Sequence, residues 1–140
     1  MMFDSTSFGR NVEMLQRSMD VSLLRRDVIA NNIANADVPN YKRSEINFEA
    51  ALSNAIATEN TKPGLILQTT DPRHVTNDRT VDWRAVQPRR VLDYLSTEKN
   101  NGNNVNAEQE FMDAMQNQLM YTLMTQAVSF EFNQVNLVLR

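Results

Sequence analysis

The single histidine of the chain, His74, lies in the run Asp71-Pro72-Arg73-His74-Val75. A histidine beside Asp71 or Asp78 is the beginning of a general acid–base pair, and with a serine nucleophile it would make a triad. There is no serine elbow and no second histidine, so the constellation that such chemistry requires is missing. A turn histidine bonded to backbone is the better reading. The chain has no cysteine, which removes a Cys/His zinc site, a disulfide framework and a thiol nucleophile. Its three glycines, Gly9, Gly64 and Gly102, are too scattered to build a phosphate-cradling loop. With 14 basic and 17 acidic residues the net charge is −3. The pairs Arg25–Arg26 and Arg89–Arg90 stand alone, not as the basic stripe that displaces counterions from nucleic acid. No cofactor, metal or nucleic acid is implied, and an enzyme is not expected.

Two other residue types invite a functional reading. The chain has eight methionines, and Met112, Met115, Met120 and Met124 fall in one stretch. A plastic ligand-binding surface is conceivable, but filling of a core or interface is favoured. Asn31, Asn32 and Asn35 are interleaved with Ala30, Ile33, Ala34 and Ala36. Asparagine is a mediocre helix former because its amide competes for backbone hydrogen bonds. Two readings stand. The small residues permit close approach and the amides make a specific contact at a helix end, or the helix simply frays before a turn. Trp83 is equally open, as an anchor for a partner or as an ordinary partly buried tryptophan.

The elements that must carry these residues are mainly helical. From Asn11 to Ala36 there is neither glycine nor proline. Phe8, Val12, Leu15, Met19, Ser22, Arg26, Ile29, Ile33 and Ala36 recur in steps of four and three, and all but Ser22 and Arg26 are apolar, which predicts one helical stripe. Ser5 or Ser7 is the expected cap. Pro39 biases Val38 out of the helical region, and Asp37 and Asn40 are turn formers, so this helix should stop near Ala36. Residues 1–37 are thus read as an N-terminal helix. Residues 38–105 are read as a connecting segment with a short helix near 47–58, carrying Phe48, Leu52, Ala55 and Ile56. Short strands or turns are expected at Leu65–Leu67, Val81–Trp83 and Val91–Leu95. Residues 106–140 are read as a C-terminal helix that starts at Asn106 with a capping box to Gln109, and Glu108, Glu110 and Asp113 favour its dipole.

The C-terminal helix carries two apolar faces. One holds Met120, Leu123, Ala127, Phe130 and Leu137, and the other Tyr121, Met124, Val128, Phe132, Val135 and Leu139. One face can bury against the N-terminal helix, giving two long helices paired as a coiled coil. The second then needs another partner, and Phe132 is assigned to it. The amide and hydroxyl residues between the faces need hydrogen-bond partners. Ala114 to Phe130 carries no charge, but it is too short and too polar to span a membrane. Met1 to Arg10 lacks a basic n-region followed by an apolar h-region, so any passage out of the cytoplasm is expected without a cleaved secretory signal. A helical adaptor or chaperone that binds a partner helix is the competing class.

At the asparagines the chain resembles a known family. Ala30-Asn31-Asn32-Ile33-Ala34-Asn35-Ala36-Asp37-Val38-Pro39-Asn40-Tyr41-Lys42 is similar to the N-terminal signature of the bacterial flagellar axial proteins, the rod and hook family. That signature usually has glycine after the proline. Asn40 stands there instead, and asparagine also tolerates a left-handed turn. Asn101-Gly102-Asn103-Asn104-Val105, followed by an acidic helix start and Gln116-Asn117-Gln118-Leu119-Met120-Tyr121, resembles the proximal-rod branch, with the FlgC type as an alternative. The resemblance implies export, without a cleaved signal, through the flagellar type III apparatus. It also implies helical assembly into the periplasmic drive shaft of the basal body. The implied partners are further copies of the chain, rod proteins of the FlgC, FlgF and FlgG types, the adaptor FliE, the MS-ring protein FliF and the export gate. Phe8 and Val12 resemble an export element of such substrates. The two motifs, through Pro39, Tyr41 and Val105, and the faces around Leu119 to Val135 are the implied assembly surfaces.

Overall fold

A computed structural model describes residues 6–59, 70, 71, 73, 81–96 and 98–139. His74 and the run Leu65–Leu67 lie outside the described residues. The first helix, α1, spans Ser7–Ala34, and the last, α3, spans Ala107–Val138. Between them come strand β1 (Ser44–Asn47), helix α2 (Glu49–Glu59), a 3-10 turn (Trp83–Ala85) and strand β2 (Arg89–Leu92). The fold is mainly helical. Its two long helices pack on each other, and the middle contributes two short antiparallel strands paired as one sheet.

The cap of α1 is Thr6, not either neighbouring serine. Its hydroxyl accepts from Gly9 N at 3.2 Å, and Ser7 is already the first helical residue. The helix ends at Ala34, two residues before the expected stop near Ala36. At the start of α3, Asn106 Oδ1 accepts from the N–H groups of Glu108 and Gln109, as the cap chemistry requires. The reciprocal half of the expected capping box is absent, because the Gln109 amide donates forward to Asp113 at 3.0 Å. At about 1.5 Å per residue α3 is roughly 48 Å long.

The chain divides into two compact units. The smaller covers Asn47–Arg89. Its core is Phe48 and Ala55 with Trp83 and Val86 from the 3-10 turn. Trp83 is only 1% exposed, and the Arg84 guanidinium lies 4.6 Å over its ring. The anchor and the ordinary tryptophan are thus decided for the core of this unit.

The larger unit covers Met1–Ile46 and Arg90–Arg140. In it α1 and α3 run antiparallel. The Asn11 amide donates to Glu131, the Asn117 amide to Ser22 O and the Asn32 amide to Glu110. Every buried residue of this unit, among those described, lies between Val21 and Ser44 or between Asn103 and Asn117. The outer halves of the two helices touch without burying a side chain to that degree. The expected stripe of α1 is rotated accordingly. Arg26 is exposed, while Val21, Ser22, Val28, Ile29, Asn32 and Ala36 face inward. No described helix is long and apolar enough to cross a membrane.

Candidate functional site

The two asparagine motifs, 60 to 70 residues apart in the chain, meet at the end of the helix pair. Where α1 ends, its last carbonyls have no intrahelical donor and carry the negative end of the helix dipole. No basic residue occupies the last turn. Asn35 N and Ala36 N serve carbonyls of the last turn, and the second motif serves those of the turn that follows. The Asn103 amide shares its two hydrogens among Asn35 O (3.0 Å), Ala36 O (2.9 Å) and Val38 O (2.8 Å). Lys99 Nζ donates to Ala36 O at 2.8 Å and pairs with Asp37 at 3.2 Å. Asn103 Oδ1 meanwhile accepts from Val105 N at 2.7 Å, closing an Asx turn just before α3. Asn103 is fully buried, so its Nδ2 and Oδ1 both have partners where water cannot serve them.

Asn104 ties the next layer. Its oxygen accepts from Arg43 N at 2.6 Å, and its amide donates to Asp93 O and to Ser96 Oγ. Asp93 holds its own turn by accepting from Leu95 N, Ser96 N and the Ser96 hydroxyl. The Ser96 hydroxyl and backbone, then Leu95 N, hold the Asp93 carboxyl below the usual carboxylate range. Asp93 N in turn donates to Arg43 O at 2.9 Å.

Asn32 answers the question its motif raised. Its side chain is completely buried and uses its full bonding capacity. Nδ2 donates to Ser44 O (2.8 Å) and Glu110 Oε2 (3.0 Å), and Oδ1 accepts from Ser44 N (3.1 Å) and the Tyr41 hydroxyl (3.3 Å). Against Ser44 the amide acts as one more residue of strand, donating and accepting at once. The contact at a helix end is therefore real for Asn32. Asn35 serves as the helix end itself, folding its amide back to Asn31 O. Asn31, Ala34 and Pro39 are exposed, and Ile33 is half-buried.

Glu110, read from the sequence only as a first-turn acid, and Arg43, which no sequence motif marks, sit at the centre. Glu110 is fully buried and pairs with Arg43 Nε, whose guanidinium also reaches Glu45 (3.0 Å) and Asp113 (3.3 Å). Burial pulls the Arg43 guanidinium down. The hydrogen bond and charge of Glu110, then those of Glu45, outweigh it and hold the group above its ordinary value. Glu110 reads in sequence as one more acid at a helix start. Only its position one heptad before Asn117 on the same face hints at burial.

The faces of α3 can now be assigned. Asn117, Tyr121, Met124, Val128, Glu131 and Val135 follow the helical period on the side of α1, and Phe132 meets Phe8 edge-on with ring centroids 5.5 Å apart. The Phe132 ring thus reaches α1 through Phe8 at the edge of the helix pair while staying 50% exposed, as Leu123 does on the other face. Phe8 and Val12 are half-buried on α1. The exposed face is that of Leu119 (60% exposed), Leu123 and Phe130 (62%). The hydroxyls along this helix satisfy themselves. Thr122, Thr125 and Ser129 each donate to the carbonyl four residues earlier. Among the described residues Asn117 Oδ1 is the one buried side-chain acceptor left without a partner.

Among the described residues no group of acidic, histidine or cysteine side chains is placed to hold a metal. The junction is a mechanical device, with two motifs bonding each other's backbones. The family described as "Flagella basal body rod protein" matches over residues 23–42, which contain the first motif. The chain is 41% identical to the flagellar basal body rod protein FlgB of Borreliella burgdorferi, over 95% of this chain and 98% of that protein. The chain belongs to the FlgB family. It is likewise 40% identical to FlgB of Borrelia hermsii over 95% of this chain and 98% of that protein. With FlgB of Bacillus subtilis it shares 30% over 94% and 95%. FlgB proteins are structural components of the flagellar rod, and this chain is one of them, not an enzyme. The usual glycine of the signature is replaced here by Asn40, which adopts φ 60°, the left-handed conformation that the substitution has to tolerate.

Proposed function

We propose that the chain is a subunit of the proximal rod, exported by the flagellar type III system and assembled helically into the periplasmic drive shaft. The observation that carries this reading is the exposed apolar face of α3, through Leu119, Leu123 and Phe130, on a helix whose other side is already occupied by α1. Such a contiguous face on a long helix is the mark of an assembly surface. Its neighbours are further copies and rod proteins of the FlgC, FlgF and FlgG types. The adaptor FliE and the MS-ring protein FliF lie at the base, and Phe8 with Val12 engages the export gate before folding. The signature loop, through Pro39 and Tyr41, adds contacts at the junction end.

A strain lacking the chain should be non-motile, with basal bodies that lack rods; normal rods in that strain would refute the proposal. Phe130→Asp should leave helicity and export intact and abolish incorporation. Phe132→Asp should instead weaken the helix pair itself.

A second reading has one observation in its favour: Met112 and Met115 are largely exposed near the start of α3, a surface suited to gripping a partner helix. An adaptor would form a small complex of fixed stoichiometry, whereas a rod subunit forms open arrays. Light scattering of the chain with its rod neighbours separates the two.

A further inference from the structure

We propose that Asn101–Gly102 is a deamidation site whose reactivity is gated by closure of the junction. Asn101 is the one asparagine in the chain that precedes glycine. Because glycine has no Cβ, its backbone nitrogen approaches a preceding side-chain amide more readily than that of any other residue. The reaction needs only water. Gly102 N attacks Asn101 Cγ, the bond from Cγ to Nδ2 breaks, and ammonia leaves carrying the proton of Gly102 N. Water then opens the resulting succinimide at either carbonyl, giving aspartate or isoaspartate.

Asn101 is exposed, so solvent access does not limit the step. Conformation does, because three hydrogen bonds hold the reacting groups. Gly102 N donates to Lys99 O at 3.1 Å, closing a tight turn. Asn101 Oδ1 accepts from Asn103 N at 3.1 Å. Asn101 O accepts from Asn40 N at 3.0 Å, which pins the peptide whose rotation would bring Gly102 N onto Cγ. The closed junction thus protects a bond that the open chain exposes. The product acts back on the junction. An isoaspartate at 101 inserts a methylene into the backbone just where Asn101 O meets Asn40 N and Gly102 lies tight against Asn40. A Cβ on Gly102 would already stand 2.6 Å from Asn40 Oδ1, so the Asn40 side chain has to move to absorb it.

The test follows the purified chain by peptide mass mapping and by labelling with an isoaspartyl carboxyl methyltransferase, in native buffer and in urea. Reaction at 101 should be at least roughly tenfold faster in urea, since in native buffer it proceeds only through the opened fraction. Asn103→Ala, which removes the donor to Asn35, Ala36 and Val38, should move the native-buffer rate toward the urea rate. Should that variant unfold outright, it supplies the open-state rate without denaturant and the comparison with the parent chain stands. Gly102→Ala in urea should slow the reaction. Chains carrying isoaspartate at 101 should refold with a lower urea midpoint than untreated chains. Equal rates in native buffer and urea would overturn the gating. Absence of product at 101 in urea would overturn the site, and an unchanged midpoint would overturn the effect on closure.

Discussion

Asn40 and Gly102 lie against each other with their backbones turned the same uncommon way, at φ 60° and 79°. Asn40 N donates to Asn101 O, and Lys42 Nζ donates to Gly102 O at 2.9 Å, so each loop holds the other in its left-handed turn. Gly102→Ala introduces both a strained φ and a clash with the Asn40 amide. Loss of about 2 kcal/mol is expected from the urea midpoint of helicity. Asn40→Gly should be tolerated, because glycine suits the same conformation.

Asn103→Ala removes one donor from each of three carbonyls in the turn after α1, where Asn35 O keeps Val38 N and Val38 O keeps Tyr41 N. Ala36 O keeps Lys99. A loss of about 2–3 kcal/mol is expected. Asn103→Asp should be worse at neutral pH, since it keeps the acceptor for Val105 N but sets a carboxylate among the three carbonyls. Chemical denaturation of both variants beside the parent chain checks the order.

Glu110→Ala takes the buried one of three carboxylate partners from the Arg43 guanidinium, which keeps Glu45 and Asp113, and strips the partner from one hydrogen of the Asn32 amide; it should cost about 2 kcal/mol. Glu110→Gln keeps the shape and should cost less. If the loss comes chiefly from the Arg43–Glu110 pair, Glu110→Met combined with Arg43→Met should recover part of it, and a double-mutant cycle reads the coupling.

Asp93 predicts an acid dependence. Its folded pKa is depressed, so its contribution is present above the ordinary carboxylate pKa and is lost as pH falls through the folded value. Stability of the parent chain should therefore fall on acidification in that range more steeply than that of Asp93→Asn. Thermal melts from about pH 6 down to about pH 2 measure the difference, and parallel curves would exclude the effect.

Much of this architecture is legible in residue order. Freedom from glycine and proline and the apolar period announce α1, and Asn106 marks the start of α3. The two asparagine motifs flag the junction. What they do not show is that they bond to each other, because no local pattern states that Asn103 will serve carbonyls of residues 35, 36 and 38. Periodicity likewise counted two faces on α3 without saying which one meets α1, because both are apolar. The Asn117–Ser22 and Asn11–Glu131 hydrogen bonds show which. The burial of Glu110 is not legible because an acid in a first turn already has a sufficient local reason to be there.

The concentration of buried side chains between Val21 and Ser44 and between Asn103 and Asn117 sets a direction for opening. The helix pair resembles a zip whose slider is fixed at the junction. Thermal opening starts at the Phe8–Phe132 end and runs inward, and the Asn32–Glu110 rung parts last. Amide hydrogen exchange along α1 should slow steadily from Ser7 toward Asn32, and α3 should show the mirror-image gradient.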